Sequence, residues 1–128
     1  MLKKLLIIED EPMLIEMYLA KFNKQELSII SANSAEQGFA MTKKEKPDLI
    51  LLDMLLPMGN GIDFLEKIRK DENIKDTKVL VFSNYDEPDT KKKAMEFGAV
   101  DYLIKTNYTP NQITAIIQNI LNYDKNIN

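Results

Sequence analysis

Several residue types are missing or scarce in this chain of 128 residues, and their absence narrows its chemistry. There is no cysteine, which excludes disulfides and thiolate chemistry, and no histidine, the commonest acid/base group at neutral pH and a frequent metal ligand. Glycine and proline number only 4 and 5, so the composition is that of a globular protein rather than a disordered one. Any reactive chemistry must therefore rest on carboxylates, hydroxyls and lysine.

Long apolar runs and a basic surface are also missing. No apolar run approaches the roughly 18 residues of a membrane span, and the run at residues 5–8 is too short for a signal-peptide core. The formal net charge of -3 predicts no basic surface for nucleic acid. The lysines at 91–93 are interpreted as a solvated helix face, with a contact to an acidic partner as the alternative. We expect a cytoplasmic protein that binds neither membrane nor nucleic acid.

What the chain does contain is an alternation of strand-length apolar runs with segments of helical period. Strands are predicted at residues 4–8, 28–32, 48–52, 78–82 and 100–104, and the continuously apolar runs 49–52 and 79–82 indicate strands buried on both faces. This alternation predicts an α/β fold in one domain, residues 1–128. We expect an open, doubly wound parallel sheet of five strands with five helices.

Helix start and stop signals agree with this fold. Pro12 suits a first helical turn, Ser34 an N-cap, Thr109-Pro110 a cap with the first helical position, and Gly98 a C-terminal cap. The last helix carries one apolar stripe with helical spacing, which predicts a face packed on the sheet: Ile113, Ile116, Ile117, Ile120 and Leu121.

Polar side chains follow four of the predicted strands. They are Glu9 and Asp10, Asp53, Ser83 and Lys105. Because ligand sites in doubly wound sheets lie beyond the carboxyl ends of the strands, we expect these residues to converge. Three clustered carboxylates repel one another and need a cation, and an all-oxygen ligand set predicts Mg²⁺ rather than zinc.

This set of groups also suggests a reaction. A carboxylate can attack phosphorus and form an aspartyl phosphate when a metal and a nearby cation neutralise the transferring oxygens. Asp53 fits the nucleophile and Lys105 the cation, and Ser83 can donate a hydrogen bond to a phosphoryl oxygen.

Four segments together identify a known family. They are residues 6–12 (LIIEDEP), 48–61 (DLILLDMLLPMGNG), 81–83 (VFS) and 98–105 (GAVDYLIK). In this order and at these strand ends they resemble the receiver domain of response regulators in two-component signalling, over residues 3–122. The resemblance implies a flavodoxin-like α/β sheet with the strand order 2-1-3-4-5. Each segment alone is a weak signal, whereas their joint spacing is specific.

The resemblance implies a role for each site residue. Asp53 would accept the phosphoryl group, and Mg²⁺ would be bound by Asp10 and Asp53 directly, by Glu9 through water and by the backbone carbonyl of Leu55. Ser83 and Lys105 would bind the phosphoryl group. Tyr102 would be the switch aromatic, which turns inward as phosphorylation draws Ser83 toward the phosphoryl group.

The resemblance also implies partners. A histidine kinase or a histidine phosphotransfer protein would donate the phosphoryl group. A downstream protein would bind the face formed by the fourth helix, the fifth strand and the fifth helix, and a phosphorylation-dependent dimer stays open. We expect a stand-alone receiver that is not an enzyme beyond its own phosphorylation and dephosphorylation.

Two departures from the family pattern lead to further predictions. Many members have proline after the active-site lysine, commonly with a cis peptide, whereas this chain has Lys105-Thr106. We predict either a trans peptide with an altered loop or a strained cis peptide. Leu55 and Tyr85, two positions after Asp53 and Ser83, are bulky where the family tunes dephosphorylation. They predict a long-lived phosphorylated state.

Other interpretations remain open for single residues and for the whole chain. Glu9 and Asp10 could be a helix N-cap cluster, Ser83 a turn or capping residue, and Tyr102 an ordinary half-buried aromatic on an edge strand. The chain could be a phosphate-independent interaction module, or the receiver part of a longer regulator. A phosphohydrolase with an aspartyl-phosphate intermediate is disfavoured, because Asp10 is followed by Glu11 and Pro12 and the acceptor-like Asp53 comes after the third strand rather than the first. A flavin-binding protein of the same fold is also disfavoured, because the loop after the first strand of this chain lacks the Gly/Ser/Thr-rich amides that cradle phosphate.

Overall fold

The computed structural model describes residues 2–22, 26–57 and 59–126, with side chains of the last helix through residue 122. Met58 and the other remaining residues of the predicted domain 1–128 lie outside the described part. The main sheet has five strands, each beginning and ending within one residue of its predicted bounds. They are β1 (Lys3–Ile8), β2 (Leu27–Ala32), β3 (Leu49–Leu52), β4 (Val79–Ser83) and β5 (Asp101–Ile104).

The strand order and the helices confirm the predicted architecture. The sheet order is β2-β1-β3-β4-β5, and every neighbouring pair is parallel. The helices are α1 (Pro12–Lys21), α2 (Ala35–Glu45), α3 (Gly61–Lys70), α4 (Pro88–Glu96) and α5 (Pro110–Asn126). Two small elements are additional: an antiparallel ladder of Leu55–Leu56 with Gly59–Asn60, and a 3-10 turn at Lys105–Asn107. Within the described part of the chain, no helix is both long and apolar enough to cross a membrane.

The core consists of two apolar layers, one on each face of the sheet. Successive strand residues point to opposite faces, so Leu6 and Ile8 enter one layer while Leu5 and Ile7 enter the other. The first layer is completed by α2, α3 and α4, and the second by α1 and α5. Because both faces are covered, the central strands need apolar residues at every position.

The predicted helix signals are largely confirmed. The Ser34 hydroxyl accepts a hydrogen bond from the Gln37 amide, and Thr109 and Gln112 form a reciprocal capping box. Gly98 follows α4 with a φ of +79°, a conformation that glycine adopts without strain. In the stripe of α5, three residues are buried and Ile116 and Ile120 are partly buried; the buried ones are Ile113, Ile117 and Leu121.

Candidate functional site

The carboxyl ends of β1, β3, β4 and β5 lie side by side at one edge of the sheet. The backbone amide of Asp53 extends the β1–β3 pairing by donating to the carbonyl of Ile8 at 3.1 Å. This register brings together Glu9, Asp53, Ser83 and Lys105, which come from four distant parts of the sequence.

Asp53 is the centre of the site. Its side chain is buried, with 6% of the residue exposed. Oδ1 accepts hydrogen bonds from Ser83 Oγ at 2.6 Å and from the Leu55 amide at 3.1 Å. Oδ2 accepts one from Lys105 Nζ at 3.0 Å. One oxygen is therefore oriented by a hydroxyl and an amide, while the other faces an ammonium.

Lys105 pairs with a second buried carboxylate. Its Nζ lies 2.5 Å from Oε1 of Glu9, which is 3% exposed. Burial raises the pKa of Glu9 to about 7, although Lys105 acts in the opposite direction. Burial also lowers the pKa of Lys105, but its hydrogen bonds to Glu9 and Asp53 outweigh this and raise it. The ammonium thus compensates for two carboxylates that would otherwise be costly to bury.

A third carboxylate completes an acidic cluster. Asp10 is exposed, and one oxygen each from Glu9, Asp10 and Asp53 lie within 4.8 Å of one another. The Glu9 carboxylate is oriented by the Asp10 amide, which donates to Oε2 at 3.1 Å. Such an all-oxygen set suits a hard divalent cation. The cluster therefore fits Mg²⁺, and a chain without histidine or cysteine lacks the usual zinc ligands.

The two residues predicted to tune dephosphorylation are at the rim of the site. Leu55 and Tyr85 are 53% and 39% exposed. Both line a groove of about 400 Å³ between the beginnings of α3 and α4. Their effect on the lifetime of a phosphorylated state stays a prediction.

Tyr102 occupies an inward position. Its ring is buried, and its hydroxyl donates to the carbonyl of Tyr85 at 2.5 Å. Burial, together with the negative charge of Asp53, raises the pKa of Tyr102 to about 12. Tyr102 on β5 is thus hydrogen-bonded to the loop that follows Ser83.

The Lys105-Thr106 peptide is trans, in agreement with the first of the two predicted outcomes. It begins the 3-10 turn, and the Thr106 amide donates to Oδ1 of Asn84 at 3.2 Å. The sequence interpretation did not single out Asn84. Its signal was present, because an amide side chain directly follows Ser83 and position 106 carries an N–H.

Comparison with known proteins agrees with this architecture. The family model of the response regulator receiver domain matches residues 5–118. The chain is 31% identical, over 119 residues, to the phosphate regulon transcriptional regulatory protein PhoB of Pseudomonas aeruginosa, covering 93% of this chain and 52% of that protein. It is 30% identical, over 119 residues, to the alkaline phosphatase synthesis transcriptional regulatory protein PhoP of Bacillus subtilis, covering 93% and 48%. The chain spans about half the length of these relatives.

A solved structure shares the fold along the whole chain. It is a CheY-like response regulator receiver domain protein from Methanospirillum hungatei, with a TM-score of 0.87 and 23% identity, and the match covers 100% of both chains. The family match extends over most of this chain and includes all the residues of the acidic cluster. The chain therefore belongs to the response regulator receiver domain family of two-component signalling.

Proposed function

We propose that this receiver accepts a phosphoryl group on Asp53 from a phosphohistidine and signals through protein contacts. The observation that carries the proposal is the environment of the Asp53 carboxylate. Ser83 and the Leu55 amide orient Oδ1, Lys105 faces Oδ2, and two further carboxylates complete a cluster that fits Mg²⁺. The donor would be a histidine kinase or a histidine phosphotransfer protein.

The transfer is a displacement at phosphorus. An oxygen of Asp53 attacks, the bond between phosphorus and the donor imidazole nitrogen breaks, and the imidazole leaves with the electron pair. Lys105 neutralises charge on the transferring oxygens, and Ser83 can turn its hydroxyl from Asp53 to a phosphoryl oxygen. Mg²⁺, when bound, supplies further neutralisation of these oxygens. Asp10 and Asp53 would hold it directly, Glu9 through water, and Leu55 with its backbone carbonyl.

The rate at which the acyl phosphate is hydrolysed depends on the side chains of Leu55 and Tyr85 at the rim of the site. Hydrolysis needs a water in line with the phosphorus, and Leu55 and Tyr85, whose amides bind Asp53 and Ser83, carry bulky side chains that line the adjoining groove. They disfavour such a water and lengthen the lifetime of the phosphorylated state. The chain acts on its own aspartate and turns over no separate substrate.

The signal leaves the site through the loop after β4. Ser83 contacts Asp53, and the Tyr85 carbonyl in the same loop binds the Tyr102 hydroxyl on β5. Lys91 of α4 places its Nζ 5.9 Å from the centre of the Tyr102 ring. A shift of Ser83 therefore reaches β5 and α4, and we place the downstream partner on the face of α4, β5 and α5.

Incubation with acetyl phosphate and Mg²⁺, followed by mass spectrometry of the intact protein, tests this function. We expect a hydroxylamine-labile adduct with the mass of one phosphoryl group that disappears in Asp53→Asn. Asp76→Asn, at an exposed loop position, is the matched control and keeps the adduct. A wild-type protein that takes no phosphoryl group, or an unchanged adduct in Asp53→Asn, would contradict the proposal.

A further inference from the structure

The peptide unit that joins Lys105 to Thr106 is held at both of its polar groups. The Lys105 carbonyl accepts a hydrogen bond from the Tyr108 amide at 3.3 Å, and the Thr106 amide donates to Asn84 Oδ1 at 3.2 Å. Proline at position 106 would have no N–H to donate. The contact with Asn84 is therefore possible because position 106 is not proline.

This contact closes a ring of interactions around Asp53. Asn84 is bonded to Ser83, whose hydroxyl donates to Oδ1 of Asp53. Thr106 is bonded to Lys105, whose ammonium donates to Oδ2 of the same carboxylate. The loop after β4 and the turn after β5 thus meet twice, at the carboxylate and at the Asn84–Thr106 hydrogen bond.

The position of the Lys105 ammonium depends on how firmly the backbone of Lys105 is held. A lysine ammonium sits on a flexible four-carbon stem, and its effect on a transferring phosphoryl group depends on where it is held. Tyr108 anchors the far end of the turn, since its ring packs edge-on against Phe82 with centroids 6.3 Å apart. At the near end of the turn, Asn84 holds the plane of the first peptide.

We propose that Asn84 is a positioning residue, which acts through the Thr106 amide to hold Lys105 in place for phosphorylation of Asp53. The inference rests on the proposed function, because it concerns the same reaction. The Asn84 side chain accepts from the Thr106 amide and hydrogen-bonds neither Asp53 nor Lys105, so its effect must pass through the backbone of the turn.

The kinetic test uses variants of similar size. Asn84→Leu removes the acceptor oxygen at an exposed position, and Asn119→Leu, exposed on α5, is the matched control. We expect the initial rate of phosphorylation by acetyl phosphate, at saturating Mg²⁺, to fall roughly 2- to 10-fold in Asn84→Leu, as for the loss of one hydrogen bond. The control should keep the wild-type rate, and Mg²⁺ affinity by calorimetry should be unchanged.

A double-mutant comparison shows whether Asn84 acts through Lys105. In a Lys105→Met background, Asn84→Leu should cause no further loss of rate, because the group it positions is gone. An equal loss of rate in both backgrounds would overturn the inference. So would a loss of Mg²⁺ affinity that accounts for the whole kinetic effect.

A measurement that needs no phosphorylation tests the hydrogen bond itself. By NMR hydrogen exchange, the Thr106 amide should exchange roughly 2- to 10-fold faster in Asn84→Leu than in the wild type. It should remain protected in Asn84→Asp, which keeps an acceptor oxygen at the same place. Equal exchange in all three proteins would refute the contact and the inference. If the amide responds as expected but the wild type takes no phosphoryl group, the proposed function fails, and with it the positioning role.

Discussion

Glu9 should make the stability of the metal-free protein depend on pH. Its pKa is about 7 in the fold, against 4.5 as the ordinary value, because burial disfavours the charged carboxylate. The folded protein therefore holds this proton more tightly than the unfolded chain. The resulting stability is fully present below pH 4.5 and is lost as the pH rises through about 7. Glutamine does not ionise, so Glu9→Gln should remove this dependence.

The size of the effect follows from the two pKa values and from the contacts. At about 1.4 kcal/mol per pH unit, the interval from 4.5 to about 7 corresponds to at most roughly 3–4 kcal/mol. Glutamine has one acceptor oxygen, so it keeps the contact with Lys105 or with the Asp10 amide but not both. Losing one such hydrogen bond costs about 1 kcal/mol. Because the wild type has already lost part of this stability at pH 5, we expect Glu9→Gln to match it within about 1 kcal/mol at pH 5 and to be about 2 kcal/mol more stable at pH 8.

Urea unfolding followed by far-UV circular dichroism measures this difference. The titrations are made at pH 5, 6, 7 and 8 with a chelator, so that no divalent cation binds the cluster. Glu16→Gln, at an exposed position on α1, is the control, and its difference from the wild type should not change sign with pH. If the free energies of unfolding of the wild type and Glu9→Gln stay parallel from pH 5 to 8, Glu9 is not the group that makes stability depend on pH.

Three other predictions concern the rim and the packing. Leu55→Asn should shorten the half-life of the Asp53 adduct, because a polar side chain there can orient water; a half-life equal to that of the wild type, by mass spectrometry, would contradict this. Arg69 donates to the carbonyls of residues 75, 77, 97 and 98. A lysine has a single ammonium and cannot bind all four carbonyls, so Arg69→Lys should lower the free energy of unfolding in urea by about 2 kcal/mol. An unchanged urea midpoint would show that these hydrogen bonds contribute nothing to stability. In Gly61→Ala the new Cβ would lie 2.4 Å from Cε and 3.1 Å from Cα of Met54. The free energy of unfolding of this variant should be lower by about 1–3 kcal/mol in the same assay. A value equal to that of the wild type would mean that Met54 moves aside without strain.

The strands and most of the helix ends were predictable because their signals are local. A run such as 79–82 is apolar at every position and, bounded by polar segments, is typical of a strand covered on both faces. Ser34 and Thr109 cap helices through amides three residues away, so the neighbouring sequence decides them. The short ladder at Leu55–Leu56 was not predicted, because two residues on each side leave no period to detect.

The sequence could not show which of two adjacent acids in the site is buried. Glu9 and Asp10 are adjacent acids after the same strand, yet Glu9 is buried and Asp10 is exposed. The difference depends on Lys105, which is 96 positions away in the chain and reaches Glu9 only when β5 is in place. The bond between Asn84 and Thr106 and the inward position of Tyr102 likewise depend on how two loops meet.

The parallel sheet and the polar residues at its carboxyl edge could be predicted from the amino-acid pattern alone, because apolar periodicity and strand ends are encoded residue by residue. Those polar residues are Glu9, Asp10, Asp53, Ser83 and Lys105. The carboxylates that Lys105 pairs with, the acid that is buried and the side chain that binds the turn after Lys105 became apparent only in the folded chain. Those outcomes depend on distances of about 3 Å between residues far apart in the chain, which exist only after the strands have packed side by side.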